Sequence, residues 1–137
     1  MRALRSLGLS VVVAAALAPA GAAAHGDWPA RHGGVMNDGG ETSFELVREK
    51  RAIVAHVSDH GEPLEVQGAK PELQIRRGAT LEIVKGIPQG TRIVFPGALV
   101  RGGDELNLKL TFANGSVAFG RFPPPAVASL ATRASAK

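Results

Sequence analysis

The fold is decided by residues 106–119, which read LNLKLTFANGSVAF. In the first half of this stretch apolar and polar residues alternate, and this period of two is typical of a strand with one buried face. Asn114-Gly115 is the pair that a two-residue type I′ turn prefers, because both central residues need a positive φ. Counting outward from that turn pairs Phe112 with Val117, so the apolar faces of both strands match. The stretch therefore predicts an antiparallel hairpin.

Shorter runs with the same alternation begin at Phe44 and are separated by turns rich in glycine and proline. About seven such strands, without a helical period, indicate an all-β domain over residues 42–122. We expect an antiparallel β-sandwich of immunoglobulin-like form, with a small open β-barrel as the alternative. Pro123-Pro124-Pro125 ends the last strand, because proline cannot donate to the ladder. Residues 123–137 are predicted to be a disordered tail or a frayed helix.

Residues 1–24 have the three parts of a secretory signal peptide. Arg2 and Arg5 give a positive start, an apolar run rich in valine and alanine follows, and Ala22-Ala23-Ala24 is a small-residue processing site. The apolar run is short for a bilayer span, and no second one follows. We therefore expect a periplasmic protein with no membrane span after leader removal. An uncleaved membrane anchor is the alternative.

Composition excludes several classes of function. Two of the 16 basic residues lie in the leader and all 12 acidic ones lie after it, which leaves a net charge of +2 with histidine neutral. The basic residues are scattered, whereas nucleic-acid binding needs a concentrated basic face. The chain has no cysteine, so it offers neither a disulfide nor a thiolate ligand. It contains no Gly-x-Ser-x-Gly elbow, phosphate loop or grouped acid–base pair, so we expect no enzyme.

Residues 25–41 read as a loop that joins the leader to the first strand, and they hold His25, His32 and Met36. Without cysteine, imidazole and thioether are the softest ligands available, a set that suits copper best, with zinc or nickel as alternatives. Cleavage after Ala24 would free the amine of His25, which titrates near pH ~8 and can chelate an ion together with its imidazole. Cleavage after Ala22 would instead place this histidine third, where amine, backbone amides and imidazole suit square-planar Cu(II) or Ni(II).

Each candidate ligand also has a structural explanation. His32 precedes two glycines that let the backbone pass close to an ion or a strand, and His60 lies in a turn. His56 reads as an ordinary outward strand residue, and packing is the simpler explanation of Met36. The predicted metal ligands are His25, His32, His60 and Met36, with Asp27 and Asp38 as oxygen ligands or turn residues.

Trp28, the only tryptophan, has two interpretations. The simpler one is a lid packed over the open end of the sandwich. The alternative is an aromatic residue that faces a protein partner.

The motifs His32-Gly33-Gly34-Val35, Phe44-Glu45-Leu46-Val47 and Val57-Ser58-Asp59-His60-Gly61-Glu62-Pro63-Leu64 resemble small exported proteobacterial proteins found with heavy-metal efflux systems. A similar pattern occurs in modules of the periplasmic adaptor subunits of those pumps. The resemblance covers roughly residues 25–66. It implies a β-sandwich and a role in periplasmic metal handling, with His32 and His60 inside the matching motifs.

Two hypotheses follow. The first is a non-enzymatic periplasmic carrier or buffer of copper or zinc that supports heavy-metal resistance or efflux. The second is an interaction module that binds an efflux adaptor or another envelope protein through the sandwich edges and Trp28, without a metal.

Overall fold

A computed structural model describes residues 28–38 and 40–132. The predicted signal peptide at 1–24, and the ligand predictions for His25 and Asp27, fall outside this part of the chain. Within it, no helix has the length and apolar character needed to cross a membrane.

Ten strands and one helix form the described chain. In order they are β1 (Val35–Met36), β2 (Thr42–Glu49), β3 (Ala52–Asp59), β4 (Glu62–Pro63), β5 (Lys70–Arg77), β6 (Thr80–Lys85), β7 (Ile87–Gln89), β8 (Arg92–Pro96), β9 (Glu105–Thr111), β10 (Val117–Phe122) and α1 (Pro124–Thr132).

The strands form two antiparallel sheets. The six-stranded sheet has the order β1-β2-β3-β8-β7, with β4 paired to the end of β3, and the four-stranded sheet has the order β10-β9-β5-β6. In the described chain neither sheet closes into a barrel. The predicted all-β, sandwich-like fold is confirmed.

The core lies between the inner faces of the two sheets, where alternate residues of each strand are buried. Phe44 and Leu46 of β2 are fully buried, as are Leu106, Leu108 and Leu110 of β9. The alternation in the last hairpin therefore identified the inner face of β9 correctly.

The predicted register of that hairpin is wrong by one residue. Val117 pairs with Thr111, not with Phe112. The Gly115 N–H donates to the Phe112 carbonyl at 2.9 Å, and the Phe112 N–H donates to the Ser116 carbonyl at 2.8 Å. Only the glycine has a positive φ, +88°, so the loop is a three-residue turn with a bulge and not a two-residue type I′ turn. The extra residue turns Phe119 outward, where 64% of it is exposed.

A two-residue turn of the I′ kind occurs between β3 and β4. His60 and Gly61 have φ values of +47° and +81°, and the flanking Asp59 and Glu62 pair with each other. His60 is the only non-glycine residue with a positive φ among those described. His60 therefore occupies the first central position of the turn, where asparagine is the usual residue.

In the segment predicted to be a disordered tail or a frayed helix, residues 124–132 form a packed helix. Helix α1 buries Val127 and Leu130 in the core. Proline at its start is compatible with a first helical turn, which has no intrahelical use for that N–H. Val127 and Leu130 are three residues apart and so share one face, which gives this alanine-rich segment an apolar contact surface.

Candidate metal centre

The candidate site lies on the outer face of the six-stranded sheet, along one row of paired residues. Met36 of β1 pairs with Glu45 of β2, which pairs with His56 of β3, which in turn pairs with Arg92 of β8. Residues directly opposite each other in antiparallel strands share a face. The register therefore aligns a thioether, a carboxylate, an imidazole and a guanidinium across four strands.

Residues 28–34, which we call the N-terminal strap, are held on this face by one carboxylate. Glu45 Oε1 accepts the Arg31 N–H at 2.8 Å, and Oε2 accepts the N–H groups of His32 and Gly34 at 2.7 and 2.8 Å. The glutamate is only 4% exposed. Hydrogen bonds to an ionised acceptor are about twice as strong as neutral ones, so Glu45 fixes the backbone of the strap around His32.

Gly34 is required for this docking because its backbone runs against β2. A Cβ at this position would lie 2.3 Å from the carbonyl oxygen of Leu46 and 2.9 Å from the Val47 side chain. Gly33 has a φ of +70°, a conformation that residues with a Cβ adopt at a cost. The predicted close approach of the backbone to a strand therefore occurs at Gly34, whereas Gly33 has open space around it.

His32, on the strap, lies over His56, on the sheet. The centroids of their imidazole rings are 3.6 Å apart, with an angle of 31° between the ring planes. His32 Nδ1 also lies 3.9 Å from Glu45 Oε1, and 40% of the His32 side chain is exposed. The strap thus brings together two imidazoles that are 24 residues apart in the sequence.

Electrostatics keep both His56 and Glu45 deprotonated at neutral pH. Burial lowers the pKa of His56, and the neighbouring His32 lowers it further, so His56 is neutral at pH 7 and its lone pair is available to a metal. Burial alone would raise the pKa of Glu45. The backbone donors of Arg31, Gly34 and His32 outweigh that effect, and the pKa lies below its usual value. Glu45 is therefore ionised at neutral pH.

Trp28 forms the wall of the pocket above these residues. A Cβ at Gly61 would lie 3.1 Å from two atoms of the six-membered ring of the indole, so the glycine of the β3–β4 turn leaves room for the tryptophan. Trp28 is 39% exposed. Trp28 is therefore packed as a lid on the outer face of the six-stranded sheet, and not over the open end of the sandwich as predicted.

The pocket has a volume of about 120 Å³ and its lining includes Trp28, His32, Met36, Glu45 and His56. Pockets for drug-sized ligands run from roughly 300 to 1,000 Å³, and one liquid water occupies about 30 Å³. The space therefore suits an ion with a few ligands better than an organic substrate.

Of the predicted ligands within the described ranges, the structure brings together His32 and Met36 and leaves His60 and Asp38 apart. The side chain of His60 is 69% exposed and lies 2.7 Å from the Asp59 carboxylate, in the turn outside the pocket. Asp38 bridges to Arg121 of β10 through its backbone. Within the described ranges, no three histidine, aspartate or glutamate side chains form a group that could hold a metal.

His56 is the site residue that sequence reasoning underrated. It lies on the face opposite Ile53 and Val57, as predicted, but the strap covers that face at His56. The missed signal is the alternation in β2, which puts an ionised Glu45 on the same outer face. A buried carboxylate there requires covering donors, and the nearby glycine-rich strap can supply them.

No protein-family model, no curated protein and no solved structure matches this chain. The assignment of a function therefore depends on the chemistry of the site.

Proposed function

We propose that this protein is a non-enzymatic, periplasmic metal-binding protein, a carrier or buffer of copper or zinc that supports heavy-metal resistance or efflux. The observation that carries the proposal is the contact between His32 and His56 in a small pocket that Met36 also lines. Imidazole nitrogens are common ligands for copper and zinc. Rotation of the half-exposed His32 side chain would let both rings reach one ion.

The strap supports this proposal because it brings His32 to His56 only when the protein is folded. His32 is held by Glu45 through its own backbone N–H, and the Gly34 N–H is held by the same oxygen. A ligand positioned by a buried hydrogen-bonded group loses less freedom on binding. The predicted export signal and the resemblance to proteins of heavy-metal efflux systems agree with a periplasmic role.

The experiment is a titration of the mature protein with Cu(I), Cu(II), Zn(II) and Ni(II), after mass spectrometry has established its N-terminal residue. Because the chain has one tryptophan and no tyrosine, its intrinsic fluorescence reports on Trp28 at the pocket. We expect near-stoichiometric binding that His32→Ala or His56→Ala weakens by about tenfold or more. His60→Ala is the matched control and should bind as the wild type does.

His25 is tested separately with His25→Ala, because its amine and imidazole form a predicted chelate of their own. If this variant alone abolishes binding, the metal site is the mature N-terminus and not the pocket. If no metal binds to any form at micromolar levels, the metal-binding proposal is wrong.

A second candidate function rests on Trp28, whose indole remains 39% exposed at the edge of the pocket. Tryptophan is enriched at the centres of protein interfaces. In this alternative the protein binds an efflux adaptor subunit and needs no metal. A flat metal titration, combined with binding to a purified adaptor that Trp28→Ala abolishes, would favour it.

A further inference from the structure

We infer that the pocket binds monovalent copper, Cu(I), through the imidazoles of His32 and His56 and the thioether of Met36. This inference rests on the proposed metal-binding function and goes further by naming the ion and its ligands. It replaces the exposed His60 with His56 and gives Met36 a chemical role.

The donors that are available in the pocket favour a soft ion. Glu45 is the carboxylate closest to the imidazoles, but its two oxygens already accept three backbone N–H groups. Using it as a ligand would break bonds that hold the strap. The remaining soft and borderline donors in the pocket are two imidazoles and a thioether. Thioether ligands select Cu(I).

The fixed charges at the pocket favour an ion of low charge. Arg31 lines the pocket, and Arg92 lies beside His56 in the same row of the sheet. Glu45 is the one carboxylate among the described residues that line the pocket, so it does not balance both guanidinium groups. Burying uncompensated charge is costly. A monovalent ion incurs less of that cost than Zn(II), Cu(II) or Ni(II).

The sheet and the strap place the three proposed ligands around one pocket. Met36 and His56 flank Glu45 in the same row of the sheet, so their Cα atoms are about two strand spacings, ~10 Å, apart. Both side chains project from one face and line one pocket, and His32 covers His56 from the strap. An ion in this pocket would therefore lie in a space that all three side chains line. Three such ligands suit Cu(I), which is stable at low coordination number, whereas structural zinc sites need four ligands.

The test is a competition between the mature protein and a Cu(I) chelator under anaerobic, reducing conditions, with Zn(II) affinity measured in parallel. Met36→Leu removes the thioether with little change in volume, and unfolding curves establish that the variant folds. We expect Met36→Leu to weaken Cu(I) binding by about tenfold or more and to change Zn(II) binding much less. His60→Ala should leave Cu(I) affinity unchanged.

X-ray absorption at the copper edge gives a readout that does not depend on any variant. We expect nitrogen and sulfur scatterers around Cu(I) in the wild type. Cu(I) bound without sulfur, or Zn(II) bound more tightly than Cu(I), would overturn this inference while leaving metal binding at the histidines intact. Absence of binding for every metal would overturn the proposed function as well.

Discussion

Glu45→Gln is the substitution that tests how the strap is held. The amide has the same shape as the carboxylate, but it has one acceptor oxygen in place of two. If that oxygen takes the place of Oε2, it keeps the donors of His32 and Gly34, and the NH₂ group then faces the Arg31 N–H. At least one of the three hydrogen bonds is lost.

The magnitude follows from those bonds. A hydrogen bond to a charged group contributes about 1.5–3 kcal/mol, and the two bonds that remain fall to roughly half their strength without the charge. The lower desolvation cost of a neutral amide offsets part of this loss. We expect docking of the strap to weaken by about 2–3 kcal/mol. Since ~1.4 kcal/mol is a factor of ten, amide protection should fall by about 30-fold or more.

Hydrogen exchange resolved to single amides is the assay, applied to Arg31, His32 and Gly34. The matched control is Glu49→Gln on the same strand, since the Glu49 side chain is 51% exposed and only 4.0 Å from Arg92. Exposed ion pairs of this kind contribute about 0–1 kcal/mol, so the control should leave protection of the strap unchanged. Equal protection of the strap in wild type and Glu45→Gln would refute the assigned role of this carboxylate.

Two further predictions concern the stability of the sandwich. A Cβ at Gly120 would lie 2.6 Å from the buried ring of Phe44, so Gly120→Ala should lower the free energy of unfolding, measured in urea, by about 1–3 kcal/mol. Gly102→Ala is the control, because no described atom lies within 4 Å of its Cβ. Its free energy of unfolding should stay within about 0.5 kcal/mol of the wild-type value. Burial alone would raise the pKa of Asp104, but two hydrogen bonds from the Arg77 guanidinium, at 3.0 and 2.8 Å, and one from a backbone N–H lower it. The stabilisation from this pair is therefore present above pH ~4 and is lost as pH falls through the folded pKa of Asp104. Asp104→Asn should lower the free energy of unfolding by about 2 kcal/mol at pH 7 and should reduce the loss of stability in acid. Parallel pH profiles of stability for the wild type and the variant would contradict this prediction.

The sequence predicts the sheets well because one face of each strand is buried. Alternation alone identified Leu106, Leu108 and Leu110 as an inner face, and it placed His56 outward. Such patterns follow from the period of a strand and need no knowledge of its partners.

Turns are harder to predict because several backbone conformations accept the same residues. Asn114-Gly115 fits a type I′ turn and equally fits the end of a three-residue loop, and the second option shifts the register by one. His60-Gly61 adopts a turn with both φ values positive although histidine is not the usual first residue.

The site was only partly predictable because it joins a loop to a strand. His32 and Met36 were identified from their residue types, but their partner depends on where the strap lies. That position follows from three hydrogen bonds to Glu45, and no local pattern in the sequence shows which strand carries the acceptor.

The proposed metal site is tested most directly by NMR of the histidine side chains in the mature protein as Cu(I) or Zn(II), both of which are diamagnetic, is added. We predict that the imidazole signals of His32 and His56 shift together and saturate near one equivalent, while those of His60 remain in place. Metal uptake with the His32 and His56 signals unmoved would contradict the central claim that these two residues form the metal site.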